Sequence, residues 1–120
     1  MFCLIKSIVY ICINGITLNM EDYTIKKVEK CVCEYFEVDY DDTIVVKSKK
    51  HKCSLARSFI VCILHNEYKL SQSFLSNYYK YSDRTIRRMC ADVKSLCKIY
   101  KEYKKHYGVL TTVLLDLDFA

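Results

Sequence analysis

A chain of 120 residues has room for one domain with one modest core. Its two glycines and lack of proline exclude a P-loop or a dinucleotide fingerprint, which need clustered glycines. They also leave few places for tight left-handed turns and favour helices over hairpins. The net charge of +5 hides an asymmetry. Between Glu21 and Asp42 stand eight acids (Glu21, Asp22, Glu29, Glu34, Glu37, Asp39, Asp41, Asp42) and three lysines; between Thr43 and Lys105 stand fifteen Lys and Arg and four acids, a local net of +11. The chain thus has an acidic end and a basic body, and a basic body is what a polyanion such as nucleic acid meets.

In chain order, residues 2–18 are apolar but interrupted by Lys6, Ser7, Asn14 and Gly15. The run is short of the ~20 clean apolar residues of a membrane span. No small-residue cleavage site follows it, so a signal peptide is not indicated. Met20 reads as the natural start, with residues 1–20 an unstructured or non-native extension and 21–120 the folded domain; a packed extra strand or helix is the alternative. From Thr24 to Phe36 the apolar residues Ile25, Val28, Val32, Tyr35 and Phe36 form one helical stripe, which Asp22 or Thr24 would cap. Glu37 to Lys52 reads as a turn and loop, acidic first and basic later, with Thr43-Ile44-Val45-Val46 plugging the core.

Ser54 is an N-cap candidate for a second helix that buries Leu55, Ala56, Phe59, Ile60, Ile63 and Leu64. A short third helix, Ser71 to Tyr79, is capped by Ser71 and buries Phe74, Leu75 and Tyr78. The turn Lys80-Tyr81-Ser82 follows, and Ser82 caps a long helix reaching about Tyr100. Tyr103 to Leu117 reads as a terminal helix, with Gly108 as the one plausible break. The expected fold class is all-α: a compact bundle of about five helices containing a helix-turn-helix.

Function concentrates on the long helix. At 100° per residue Ile86, Cys90, Val93, Cys97 and Tyr100 make one stripe, flanked by Met89 and Leu96. Arg84, Arg87, Arg88, Ala91, Ser95 and Lys98 fall opposite. Three arginines early in a helix suit insertion into a major groove, where guanidinium forks reach guanine edges or phosphates and small residues permit close approach. A solvated basic face is the plain alternative, weakened by the capped short helix and tight turn just upstream, which have helix-turn-helix spacing. A second basic element, Lys47, Lys49, Lys50, His51 and Lys52, closed by Arg57, suits phosphate contacts that position without reading sequence. Backbone N–H groups at the helix start near Ser54 can also receive a phosphate.

Eight cysteines raise a disulfide scaffold or a zinc site, but no Cys-x-x-Cys pair exists. Cys31 and Cys33 point to different helix faces, and no histidine (His51, His65, His106) stands at ligand spacing. Cys62, Cys90 and Cys97 sit in apolar stripes as small hydrophobes. Reduced thiols in a cytoplasmic protein, without metal or cofactor, are expected.

The order of elements resembles the C-terminal DNA-binding domain of the bacterial replication initiator DnaA, a Trp-repressor-like helix-turn-helix, over about Thr24 to Leu117. TIKKVEKCVCEYF followed by VVKSKKHKC matches the family's helix and its Lys/Arg-rich loop. Ser54-Leu55-Ala56-Arg57 matches its Ser-x-Ala-Arg, and Asp83-Arg84-Thr85-Ile86 stands at its Asp-His-Thr-Thr signature. Arg84 replaces the His, Ile86 the second Thr, and Cys53 an arginine used in the minor groove. The resemblance therefore implies fold and layout rather than the family's own target sequence. It implies that Asp83 and Thr85 contact bases or phosphates and that Arg57 and the loop lysines clamp the backbone. A nucleotide-hydrolysing module like the family's is not expected within these residues.

The expected DNA-binding set is Lys49, Lys50, Lys52, Ser54, Arg57, Ser71, Gln72, Ser82, Asp83, Arg84, Thr85, Arg87 and Arg88. The expected partner is double-stranded DNA, for a stand-alone protein of a phage or other mobile element acting in replication initiation, its regulation or transcription. The alternative is an interaction protein that binds a protein partner through the acidic first helix and its tyrosines. No catalytic constellation can be assembled from the scattered histidines, so an enzyme is not expected; nor is a membrane partner.

Overall fold

The computed structural model describes the backbone of residues 20–119 and the side chains of residues 22–116; the apolar run at 2–18 lies outside the described residues. Among the described residues there is no strand. Five α-helices and one π-helical turn succeed one another as α1 (Met20–Tyr35), the π-turn (Asp41–Val45), α2 (His51–Asn66), α3 (Gln72–Tyr79), α4 (Asp83–Ile99) and α5 (Lys101–Phe119). The expected small all-α bundle is the observed fold.

At its centre is α2, which buries Cys53, Ala56, Phe59, Ile60, Val61, Cys62, Ile63 and Leu64. A helix apolar nearly all round is stable only when surrounded, and α1, the π-turn, α3 and α4 all pack on it. The α1 stripe supplies Ile25, Val28 and Val32, and α5 closes the bundle with Leu110 and Leu114. Where α1 meets α5, the Tyr35 hydroxyl lies 2.6 Å from His106 Nδ1, within an aromatic cluster of Phe36, Phe59, Tyr103 and His106.

Several boundaries differ from expectation. α1 already includes Asp22 and Thr24, so neither caps it. α2 starts at His51 after Lys50, which makes no side-chain cap bond; Ser54 lies one turn inside, its N–H bonded to Lys50 O at 2.9 Å. Helix over residues 51–53 buries Cys53, and that burial offsets the ~1 kcal/mol a serine cap would supply. Gly108 does not break the last helix: α5 passes through it, and the interruption is Tyr100, extended at φ −115° and ψ 120°. A mid-helix glycine costs only about 1 kcal/mol against alanine, less than the packing of Leu110 and Leu114 repays. The proposed core plug is half correct. Thr43 is buried and Ile44 half-buried, but Val45 and Val46 are 69% and 67% exposed, since the wide turn closed by Val46 N–H on Asp41 O (2.9 Å) carries them round to solvent.

Left-handed turns are not scarce after all. Glu37, Lys47, Lys69 and Lys80 adopt φ between 56° and 61°, each just past the end of a helical element. With so few glycines, the chain accepts the ~1 kcal/mol or more that a Cβ costs there to reverse direction in short loops.

Candidate nucleic-acid interface

The helix-turn-helix is built from two serine caps and one left-handed lysine. Ser71 Oγ accepts the Phe74 N–H at 3.0 Å and starts α3. Lys80, at φ 58° and ψ 41°, ends it by donating its N–H to Ser76 O. The Tyr81 N–H also reaches Ser76 O, at 3.0 Å, and the Ser76 hydroxyl donates back to Tyr81 O. Ser82 Oγ then accepts the Thr85 N–H at 3.1 Å and pairs with Thr85 Oγ1 at 2.9 Å. The Lys80 and Tyr81 N–H groups, the Tyr81 carbonyl and the Ser82 hydroxyl are thereby engaged, which fixes the angle between the helices.

On α4, Ile86, Met89 and Val93 are buried and Cys90, Leu96 and Cys97 half-buried. Tyr100, expected in this stripe, is 52% exposed because the backbone turns out of the helix there. All six residues of the opposite face, Arg84, Arg87, Arg88, Ala91, Ser95 and Lys98, are exposed. Asp83 is exposed in the first turn, where its carboxylate complements the helix dipole. Ile86 is fully buried and belongs to the core. Thr85 is half-buried and its hydroxyl is shared with the cap.

The basic loop is fastened to that turn. Lys47 donates from Nζ to Tyr79 O at 2.6 Å and stands 4.5 Å from the centre of the Tyr81 ring, a cation–π contact. Arg57, expected to clamp a DNA backbone, is otherwise occupied. Half-buried, it donates from one guanidinium nitrogen to Thr43 O at 3.1 Å and from the other to Ser48 O at 2.7 Å. A planar fork suits two converging carbonyls, so Arg57 shapes the loop from inside. Between loop and turn only about 10 Å³ stays open, bordered by Lys47, Arg57, Tyr79 and Tyr81. Lys49, Lys50, His51 and Lys52 are left exposed on an anchored segment.

Ser54 is also exposed. It lines a groove of about 310 Å³ with His51, Leu55 and Ser58 of α2 and Asp92, Ser95, Leu96 and Ile99 of α4. The first turn of α2 thus runs beside the second half of α4, while Arg84 lies some 16 Å further along the axis from Ser95, at ~1.5 Å per residue. The hydroxyls of Ser71 and Ser82 are committed to caps and Gln72 is half-buried. The basic residues these elements leave exposed include Arg84, Arg87, Arg88 and Lys98 on α4, Lys49 and Lys50 on the loop and Lys52 in the first turn of α2.

One set of positioning residues was not anticipated. Glu29, counted above among the acids of a charged surface, is 1% exposed. Its oxygens accept from the Tyr40 hydroxyl at 2.8 Å and the Tyr79 hydroxyl at 2.7 Å. Burial, then the adjoining carboxylate, pushes both phenols well above their usual range. Glu29 therefore holds the last residue of α3, whose carbonyl in turn holds Lys47. A signal existed: Glu29 lies four residues after Ile25 and within the apolar stripe.

Among the described residues, no group of three or more His, Cys, Asp or Glu side chains could hold a metal ion, Cys31, Cys33, Cys53, Cys62, Cys90 and Cys97 are free, and no helix is long and apolar enough to cross a membrane. Comparison of the chain with protein-family models, curated proteins and solved structures returns no match.

Proposed function

We propose that the chain binds double-stranded DNA, with α4 in the major groove presenting Arg84, Arg87 and Arg88 and with Lys49, Lys50 and Lys52 on the phosphate backbone. The observation behind this reading is the wholly exposed face of α4, held on a doubly capped helix-turn-helix whose turn is tied to the basic loop by Lys47. Small Ala91 and Ser95 let the helix approach the groove. Ser71, Ser82 and Thr85 fix the pose through the caps, and Arg57 acts through the loop it shapes. The layout is that of DnaA-type binding, with Asp83 beside the bases. On that resemblance the process is replication initiation or its regulation, with transcriptional regulation as the alternative.

Titrating labelled duplex with the purified chain at several salt concentrations tests this. Affinity should fall steeply and log-linearly with salt, and Arg87→Ala or Arg88→Ala should cost about 1–3 kcal/mol on a preferred sequence if a guanine is read. Equal losses on every sequence would mean phosphate contacts instead. No binding at low salt, or an affinity indifferent to salt, would sink the proposal.

A second reading, docking to a protein partner, draws on the exposed acids Glu34, Glu37, Asp39, Asp41 and Asp42 and on the neighbouring exposed Val45 and Val46. Capture of a partner that survives nuclease treatment, combined with failure to bind duplex, would favour it.

A further inference from the structure

Between Val93 and Lys105, where α4 hands over to α5, stand five lysines and one acid. Lys98, Lys101, Lys104 and Lys105 are exposed there, as is the acid, Glu102. At 100° per residue Lys101, Lys104 and Lys105 fall on the face of α5 opposite Tyr103, Tyr107 and Leu110. Among them in the chain is Tyr100, 52% exposed, next to Ile99 at 69%. The ring is left in water because its backbone is held from both sides. The Tyr100 N–H donates to Leu96 O at 2.8 Å, and the Tyr100 carbonyl accepts the Lys104 N–H at 3.4 Å. The Cys97 thiol, donating to Tyr103 O at 3.6 Å, ties the two helices across the bend. The ring itself meets Tyr103 edge to face, with centroids 5.9 Å apart and an interplanar angle of 69°, and Tyr103 packs on Phe59 of the core. Tyr100 is thus a braced aromatic surface. Beside it runs the groove of about 310 Å³, lined by Ile99 and by the hydroxyl-bearing Ser54, Ser58 and Ser95, with Asp92 as its one acid.

We infer that this elbow is a binding site for single-stranded nucleic acid, with a base stacked on Tyr100 and the adjoining phosphates on Lys98, Lys101, Lys104 and Lys105. A fixed aromatic ring flanked by ammonium groups is what such a strand requires, since every unpaired base offers a π-face and lysines follow the backbone. A duplex keeps its base faces within its own stack, so a ring standing out of a basic surface gains little from one. The groove beside Ile99 takes the neighbouring base. Its serine hydroxyls hydrogen-bond base edges there, and Asp92 accepts from an exocyclic amine. Stacking and ammonium contacts read neither sugar nor sequence, so DNA and RNA strands fit alike. Lys98 lies ~21 Å along α4 from Arg84, at ~1.5 Å per residue. The elbow is therefore separate from the arginine face, and the inference does not rest on the duplex reading.

The test titrates the full chain into a fluorescein-labelled oligothymidylate of about ten nucleotides, which cannot pair with itself. Anisotropy should report saturable binding. The logarithm of affinity should fall with the logarithm of salt concentration at a slope of about −3, as four neutralised phosphates require of a single strand. Tyr100→Ala should weaken binding at least about fivefold, while Tyr100→Phe, which keeps the π-face, should hold it within about twofold. Lys101→Gln combined with Lys104→Gln should flatten the salt slope by about 1.4. Arg87→Ala combined with Arg88→Ala should leave this affinity within about twofold, whatever it does to duplex binding. No binding at low salt would overturn the inference, as would equal affinities for Tyr100→Ala and Tyr100→Phe. Loss of binding in the arginine variant would also overturn it, by putting the strand on the α4 face instead. A thiouridine-bearing oligonucleotide photo-cross-linked to the unsubstituted chain should attach to the peptide holding Tyr100. A cross-link dominated by any other peptide would decide against the elbow even where Tyr100→Ala fails to fold.

Discussion

Burying a carboxylate is costly unless its oxygens are hydrogen-bonded, and Glu29 meets that condition through Tyr40 and Tyr79. Removing it leaves two phenols without their acceptor, one of them 8% exposed. Glu29→Ala should therefore lower the unfolding free energy by about 3 kcal/mol, the scale of two hydrogen bonds to a charged group less what relaxation recovers. Glu29→Gln keeps the shape and one acceptor oxygen and should lose about half as much. Urea denaturation of both variants measures the difference; equal losses would assign the effect to packing. Sequence reasoning could place Glu29 on a helix and within reach of the stripe. It could not see Tyr79, fifty residues away, and an acid without a visible partner reads as solvated. The partners of Arg57 were hidden for the same reason. They are backbone carbonyls of Thr43 and Ser48, and carbonyls carry no signature in a sequence.

Among the elements, the ones with local causes were legible. Ser71 and Ser82 cap the helices they were expected to cap, and the exposed face of α4 follows from its period alone. Elements whose ends are set by long-range packing were not: α2 starts three residues before its serine to bury Cys53, and α5 overrides its glycine. That override gives a direct test. A Cβ at Gly108 would meet nothing within 4 Å, and the residue lies mid-helix in α5. Gly108→Ala should thus stabilise the protein by about 0.5–1 kcal/mol, through the smaller entropy lost on folding. Thermal unfolding followed by circular dichroism reads the shift. A lower midpoint would mean that α5 is locally bent or that this face is covered by something else. The hydroxyls of Thr111 and Thr112, which donate to Gly108 O at 3.0 and 2.8 Å, should be undisturbed, since the carbonyl stays in place.

For the whole molecule, the buried thiols and phenols have one shared consequence. Burial pushes Cys33 from 9.0 up to about 11 and raises Cys31, Cys97 and Tyr78. It also raises Tyr40, Tyr79 and Tyr107. Each of these groups is neutral when protonated, and each holds its proton more tightly in the folded state than in the unfolded chain. The stability they contribute is fully present below the unfolded values, 9.0 for the thiols and 10.0 for the phenols. Above those values the unfolded chain binds fewer protons than the folded one, so stability must fall as pH rises. A fully buried group in that condition adds a slope of about 1.4 kcal/mol per pH unit; the more exposed Cys97, Tyr40 and Tyr78 contribute least. Cys90 is shifted the other way, so its contribution grows between its folded value and 9 and is complete before the fall begins. The urea midpoint, measured in the presence of reductant, should be level or rise slightly from pH 7 to 9 and then drop steadily towards pH 11. Tyrosinate absorbance should show a fraction of the eleven tyrosines ionising only with the unfolding transition. A midpoint that stayed flat across that range, or phenols that all titrated in the folded protein, would mean that the interior of the bundle is open to water.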